Sequence, residues 1–145
     1  MINASRDTTT GLRFEERVVL KKRGIDLTKH KLYYFLNEQG IKWETIISKK
    51  LLPDAAFFDP KTKEFVVYEK KFQKVNGSAD EKPQTCAFKI SQFKKIAKSF
   101  GATSVQYIYI FNDWFKKPQY KDMLDYIKSV AGCSYFFEEE IDGIE

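Results

Sequence analysis

The chain has 145 residues, 43% hydrophobic and 16% aromatic, with two cysteines, one histidine and a formal net charge of +5. That length holds one domain with a real core, and so few cysteines and histidines exclude a disulfide scaffold, a structural zinc site and a histidine-rich metal centre. A sequence pI near 9.1 points to a polyanionic partner, nucleic acid before an acidic membrane surface. The charge is uneven: residues 82–100 carry five lysines and no acid, and residues 138–145 carry five acids and no base. Met1 to Thr10 is polar, unlike a signal peptide, and no apolar run approaches membrane-spanning length. The expectation is one domain over residues 1–145, cytoplasmic, with Cys86 and Cys133 as small buried hydrophobes and His30 on the surface.

Residues 1–7 are expected to fray. Thr8, Thr9 and Thr10 offer capping hydroxyls to a helix reaching about Arg23, with Leu12, Phe14, Val18, Val19 and Leu20 apolar and Gly24 as its stop. Glu15 lies at the edge of that stripe; acids at Glu15 and Glu16 also suit a first-turn helix dipole. A second helix is predicted from Thr28 as cap to about Gln39, with Leu32, Phe35 and Leu36 inward. Ile41 to Ile47 alternates around Trp43 and reads as a strand. After a polar loop at 72–83, Pro83 opens a helix to Phe100, with Phe88, Phe93, Ile96, Ala97 and Phe100 as its core stripe. Ser104 to Phe111 is a strand rich in β-branched and aromatic residues. Tyr120 to Val130 is an amphipathic helix, and Ser134 to Phe137 a short last strand. Strand–helix–strand crossovers after a hairpin predict an α/β fold, a mixed sheet flanked by helices.

That hairpin is residues 53–71. Ala55 to Phe58 and Phe65 to Tyr68 are apolar runs joined by Asp59, Pro60, Lys61, Thr62 and Lys63, a turn-rich cluster. If Phe58 opposes Phe65, Asp54 opposes Glu69, because paired residue numbers in an antiparallel ladder have a constant sum. Opposed residues have Cβ atoms about 5 Å apart, and carboxylates so close repel unless a cation intervenes. Lys71 follows Glu69 by two residues and shares its face. Two acids and a lysine converge at the hairpin's end, and hard divalent cations such as magnesium take such oxygen donors. The same residues would also serve as a solvated ion pair on a sheet edge.

Pro53-Asp54, fourteen residues, then Glu69-Lys70-Lys71 resembles the motif of the PD-(D/E)XK phosphodiesterase superfamily, which includes restriction endonucleases, junction resolvases and repair nucleases. The order of predicted elements over residues 10–111 is similar to that superfamily's restriction endonuclease-like core. Phe14-Glu15-Glu16-Arg17-Val18 supplies the glutamate many members carry on a first helix, Glu15 favoured and Glu16 the substitute. Gln84 with Phe88 resembles the glutamine-and-aromatic pair of some branches, with Phe where Tyr is usual. Lys70-Lys71-Phe72-Gln73, the Gly77-Ser78 loop and Asn112-Asp113-Trp114-Phe115 look like small bacterial restriction-type enzymes.

The resemblance implies a magnesium-dependent DNA endonuclease, manganese substituting. The metal would be held by Asp54, Glu69, the backbone carbonyl of Lys70 and, directly or through water, Glu15. Lys71 would orient or help deprotonate the attacking water, and Gln84 would brace the site. Gln73, Lys74, Asn76, Ser78, Lys82 and Lys89 become candidate DNA contacts, the lysines on phosphate. Cutting both strands of a duplex with so small a chain implies a twofold homodimer. A structure-selective Holliday-junction or repair nuclease and a non-catalytic DNA-binding module are the alternatives.

Overall fold

The computed structural model describes residues 24–74, 77 and 81–138. Their order is β1 (Ile25–Asp26), α1 (Lys31–Glu38), β2 (Ala55–Asp59), β3 (Glu64–Lys71), α2 (Cys86–Ser99), β4 (Ser104–Phe111), α3 (Lys121–Ser129) and β5 (Cys133–Phe137), with single 3-10 turns between. The five strands form one sheet in sequence order. β1, β2 and β3 pair antiparallel, while β3–β4 and β4–β5 are parallel. The chain is therefore α/β with a mixed sheet, each parallel pair requiring a crossover helix.

Alternation divides each strand between two faces. One face carries Ala56, Phe58, Phe65, Val67, Tyr107, Tyr109 and Phe111, and packs with Leu32 and Leu36 of α1, Ile90, Phe93 and Ile96 of α2, and Met123 and Ile127 of α3. The other carries a second cluster of Phe57, Val66, Tyr68, Ile108 and Ile110. Much of the aromatic surplus goes into the larger core. Phe93, Tyr107, Tyr109, Phe111, Phe115 and Tyr120 make a continuous run with centroid spacings of 4.7–5.6 Å, close enough for edge-to-face and offset contacts. Cys86 and Cys133 are free and buried, and burial pushes the Cys133 thiol up to about 12. Among the described residues no helix is long and apolar enough to cross a membrane.

Three sequence expectations are corrected. Ile41 to Ile47 is not a strand: Trp43–Thr45 is a 3-10 turn. Gly40 at φ 74° turns the chain, and Ile41 donates back to the Leu36 carbonyl at 2.9 Å. The Tyr33 hydroxyl then ties down Leu51, donating to its carbonyl at 2.6 Å and accepting from its N–H at 2.9 Å. The strand that joins the hairpin is instead Ile25–Asp26. Second, Thr28 does not cap α1, which starts at Lys31; its hydroxyl accepts from the Ala56 N–H at 3.2 Å. Third, Phe88 is 61% exposed rather than in the core. Ile90 takes the inward position, and two residues along a helix is a rotation of about 200°, which sends Phe88 outward.

Gly24, at φ 97°, lets the chain enter β1 against the hairpin turn. A Cβ there would lie 2.2 Å from the Phe58 carbonyl oxygen and 2.8 Å from Pro60 Cδ. Gly24→Ala combines a left-handed backbone with a backbone clash. It is expected to cost at least the roughly 1–3 kcal/mol of a strained residue, read as a lower denaturant midpoint with unchanged slope.

Candidate active site

Phe58 opposes Phe65 and Ala55 opposes Tyr68, so the numbers of each pair sum to 123. One step further along this register lie Asp54 and Glu69. Asp54 turns its carboxylate onto the partner strand, where Oδ2 accepts from the Lys70 N–H at 2.8 Å. Its other oxygen faces Lys29, with Nζ 3.8 Å from Oδ1. Lys29 arrives because the β1 segment continues beside the hairpin, Leu27 donating to the Ala56 carbonyl at 2.8 Å and Lys29 to the Pro53 carbonyl at 2.9 Å. Lys29 is a site residue that periodicity could not reveal, since it sits at φ 50° just before the helix.

Glu69 is only 9% exposed. Its register partner on β4 is Tyr109. Burial, first, and then the charge of Asp54 and a side-chain hydrogen bond with Asp54 push the Glu69 carboxyl up to about 8, against the opposing pull of Lys71 and Lys89. Tyr107 and Tyr109 titrate well above the usual tyrosine range, chiefly through burial, with Glu69's charge adding to it. The centre is thus two carboxyl groups one register step past the Ala55–Tyr68 pair, one half-open to solvent and one enclosed, with lysines around them.

Such a pair carries a proton between its oxygens or a cation in the proton's place. The donors are oxygen only, the chemistry a magnesium-class ion selects. Among the described residues no third Asp, Glu, His or Cys joins the two acids. On donor chemistry the residues present fit a divalent cation.

The remaining predicted residues divide. Lys71 and Lys89 both act on Glu69. Lys89, a candidate phosphate contact, lies four residues before Phe93, on the side of α2 that meets the sheet. Gln84 is exposed and lines a groove with Gln119, Asp122 and Tyr126 of the α3 region. Lys74 and Lys82 are exposed, with Lys74 Nζ 5.4 Å from the centroid of the Phe72 ring. Gln73 is 7% exposed, so its side chain does not reach out to read a base edge. Glu15, its substitute Glu16, Asn76 and Ser78 lie outside the described residues.

Asn112 closes the far end of β3. Its Oδ1 accepts from the Gln73 N–H at 3.2 Å and its Nδ2 donates to the Gln73 carbonyl at 2.7 Å. One side-chain amide thereby extends the β3–β4 pairing past Lys71. Asn112→Ala would leave two partly buried backbone groups without that partner, a loss of roughly 1–3 kcal/mol. Faster hydrogen exchange at the Gln73 amide, with slower exchange retained at Val67, is the expected reading.

Compared with family models, curated proteins and solved structures, the chain matches none.

Proposed function

We propose that this protein is a magnesium-dependent DNA endonuclease that hydrolyses phosphodiester bonds, restriction-type, with a restriction endonuclease-like core of the PD-(D/E)XK kind. The observation that carries the reading is the hairpin register, which sets Asp54 and Glu69 one step past Ala55–Tyr68, with the Asp54 carboxylate held on β3 by the Lys70 N–H at 2.8 Å and Lys71 and Lys89 acting on Glu69. Two acids set side by side, one of them buried, add little to the stability of a hairpin. It suits a site that must concentrate negative oxygen donors for a cation.

In this reading Asp54, Glu69 and the Lys70 carbonyl would hold the divalent ion, which would supply Lewis acidity at phosphorus and make the attacking water more acidic. The Lys70 N–H fixes Asp54 so that its carboxylate is oriented before substrate arrives. Lys71 directs its ammonium protons at the attacking water and the non-bridging phosphate oxygens, countering charge as it develops. Lys89 adds a second positive charge acting on Glu69. Lys74 and Lys82 bind backbone phosphate. A homodimer would bring two such centres to the two strands of a duplex.

The test is incubation of supercoiled plasmid and branched DNA with the purified protein, in magnesium and in EDTA. Magnesium-dependent discrete plasmid fragments support the restriction-type reading. Cutting confined to branched DNA replaces it with the junction or repair reading. Tight DNA binding with no cutting across several divalent metals replaces both with a binding module.

A further inference from the structure

We propose that Lys29 and a divalent ion compete for Asp54, and that a DNA phosphate relieves the competition by taking Lys29, so that metal and DNA bind cooperatively. The inference rests on the nuclease reading of the Asp54–Glu69 centre and adds a coupling residue to it. Lys29 Nζ lies 3.8 Å from Asp54 Oδ1. That exceeds the roughly 2.7–3.2 Å of an N–H···O hydrogen bond, so charge alone holds the pair and giving it up breaks no hydrogen bond. Both side chains are open to solvent, Lys29 60% and Asp54 41% exposed, where such a pair contributes little. The other oxygen, Oδ2, is committed to the Lys70 N–H at 2.8 Å. A magnesium ion carries twice the charge of an ammonium and sits about 2.0–2.1 Å from a ligand oxygen. With Lys29 in place, two cations would share Oδ1, and charges that close repel.

The backbone keeps Lys29 at the site whichever partner it has. Leu27 donates to the Ala56 carbonyl at 2.8 Å, Ala56 donates to the Thr28 hydroxyl at 3.2 Å, and Lys29 donates to the Pro53 carbonyl at 2.9 Å. Those bonds fix residues 27–29 against residues 53–56 and leave the lysine side chain to swing. Lys29 holds φ 50°, a conformation that glycine adopts readily and side chains do not, so the local backbone gives no reason for a lysine here; the charge beside Asp54 does. The neighbouring lysines are placed elsewhere: Lys31 donates to Asp26 Oδ2 at 2.9 Å, and Lys71 and Lys89 act on Glu69. An ammonium with three rotatable donors binds phosphate as a point charge, and the swing from Asp54 to a phosphate oxygen moves no backbone. Whatever draws Lys29 off Asp54 then favours the ion there, and by linkage the ion favours the phosphate by the same factor.

The experiment measures magnesium affinity, from melting temperature against magnesium concentration, with and without a short DNA duplex. The parent is Lys71→Ala, which slows cutting and keeps both acids. Without DNA, Lys29→Gln is expected to bind magnesium about fivefold tighter than the parent, the low end of coupling between sites. Lys29→Arg, which keeps the charge, is expected to bind as the parent does. The duplex is expected to raise the parent's magnesium affinity more than that of Lys29→Gln, by the same factor of about five. Magnesium affinity unchanged or weakened in Lys29→Gln overturns the competition, and an equal effect of the duplex on both proteins overturns the coupling. Either result, with magnesium still bound, removes the Lys29 assignment and leaves the metal-dependent reading standing. No magnesium uptake by the parent in either arm removes both.

Discussion

Asp54→Asn is expected to lower magnesium-dependent cleavage by at least about a thousandfold. Metal ligation supplies several kcal/mol of transition-state stabilisation, and each 1.36 kcal/mol is a factor of ten in rate. The substitution keeps the shape and, through the remaining carbonyl, an acceptor for the Lys70 N–H at Oδ2. It removes the charge that would hold the ion. Lys71→Ala is expected to lose about a hundred- to a thousandfold, the scale of one group aimed at developing charge. The two variants separate in a second measurement. Magnesium should still raise the melting temperature of Lys71→Ala, whose two acids are intact, and should not raise that of Asp54→Asn. If Lys71→Ala cut at the wild-type rate, the lysine would be only a counter-charge for Glu69.

Glu69→Gln is expected to abolish cleavage and to stabilise the metal-free protein at alkaline pH. The folded carboxyl is pushed up to about 8 from an ordinary 4.5, by burial and then by Asp54. The native state therefore binds more protons than the unfolded state between those values. Stability must then fall as pH rises, the sign set by linkage. The loss begins near pH 4.5, where the unfolded glutamate ionises, and is complete above about 8. At roughly 1.4 kcal/mol per pKa unit this amounts to about 3–5 kcal/mol. In EDTA the two proteins should melt together near pH 4.5, and Glu69→Gln should melt several degrees higher at pH 9. Magnesium should close the gap at pH 9 by stabilising wild type alone. A wild-type melting temperature that did not fall relative to Glu69→Gln on raising the pH would refute the raised Glu69 carboxyl.

Much of this site was legible from residue order because a hairpin makes register arithmetic. The turn cluster between Asp59 and Lys63 placed Phe58 against Phe65, and every other pair followed, including the step to Asp54 and Glu69. β4 was equally plain, since β-branched and aromatic residues run from Ser104 to Phe111. The strand β1 was not legible, because two residues have no periodicity to detect. Ile41 to Ile47 misled for the opposite reason. Its alternation is real, but the chain at Gly40 folds back and meets the same apolar neighbours through a turn. Lys29 and Lys89 reach the acids through tertiary approach. For Lys89 a signal existed in its four-residue spacing from Phe93; for Lys29 there was none. Gln73 read as a surface amide among lysines and became buried because Asn112 holds its backbone from 39 residues away.

The acids and their lysines do not come together over equal lengths of chain. Asp54 and Glu69 meet through a hairpin, which closes in about 1–10 μs. Lys89 needs α2 docked on a sheet whose parallel pairing joins Glu64 to Ser104 across the crossover, and such long-range contacts form later. Assembly order then brings like charges together first and the counter-charge from α2 last. Burial is the largest cost on Glu69, and it falls on the later step that closes the core around Phe65, Phe93 and Tyr107. Alkaline, cation-free conditions would therefore slow the docking of α2 on the sheet more than closure of the hairpin.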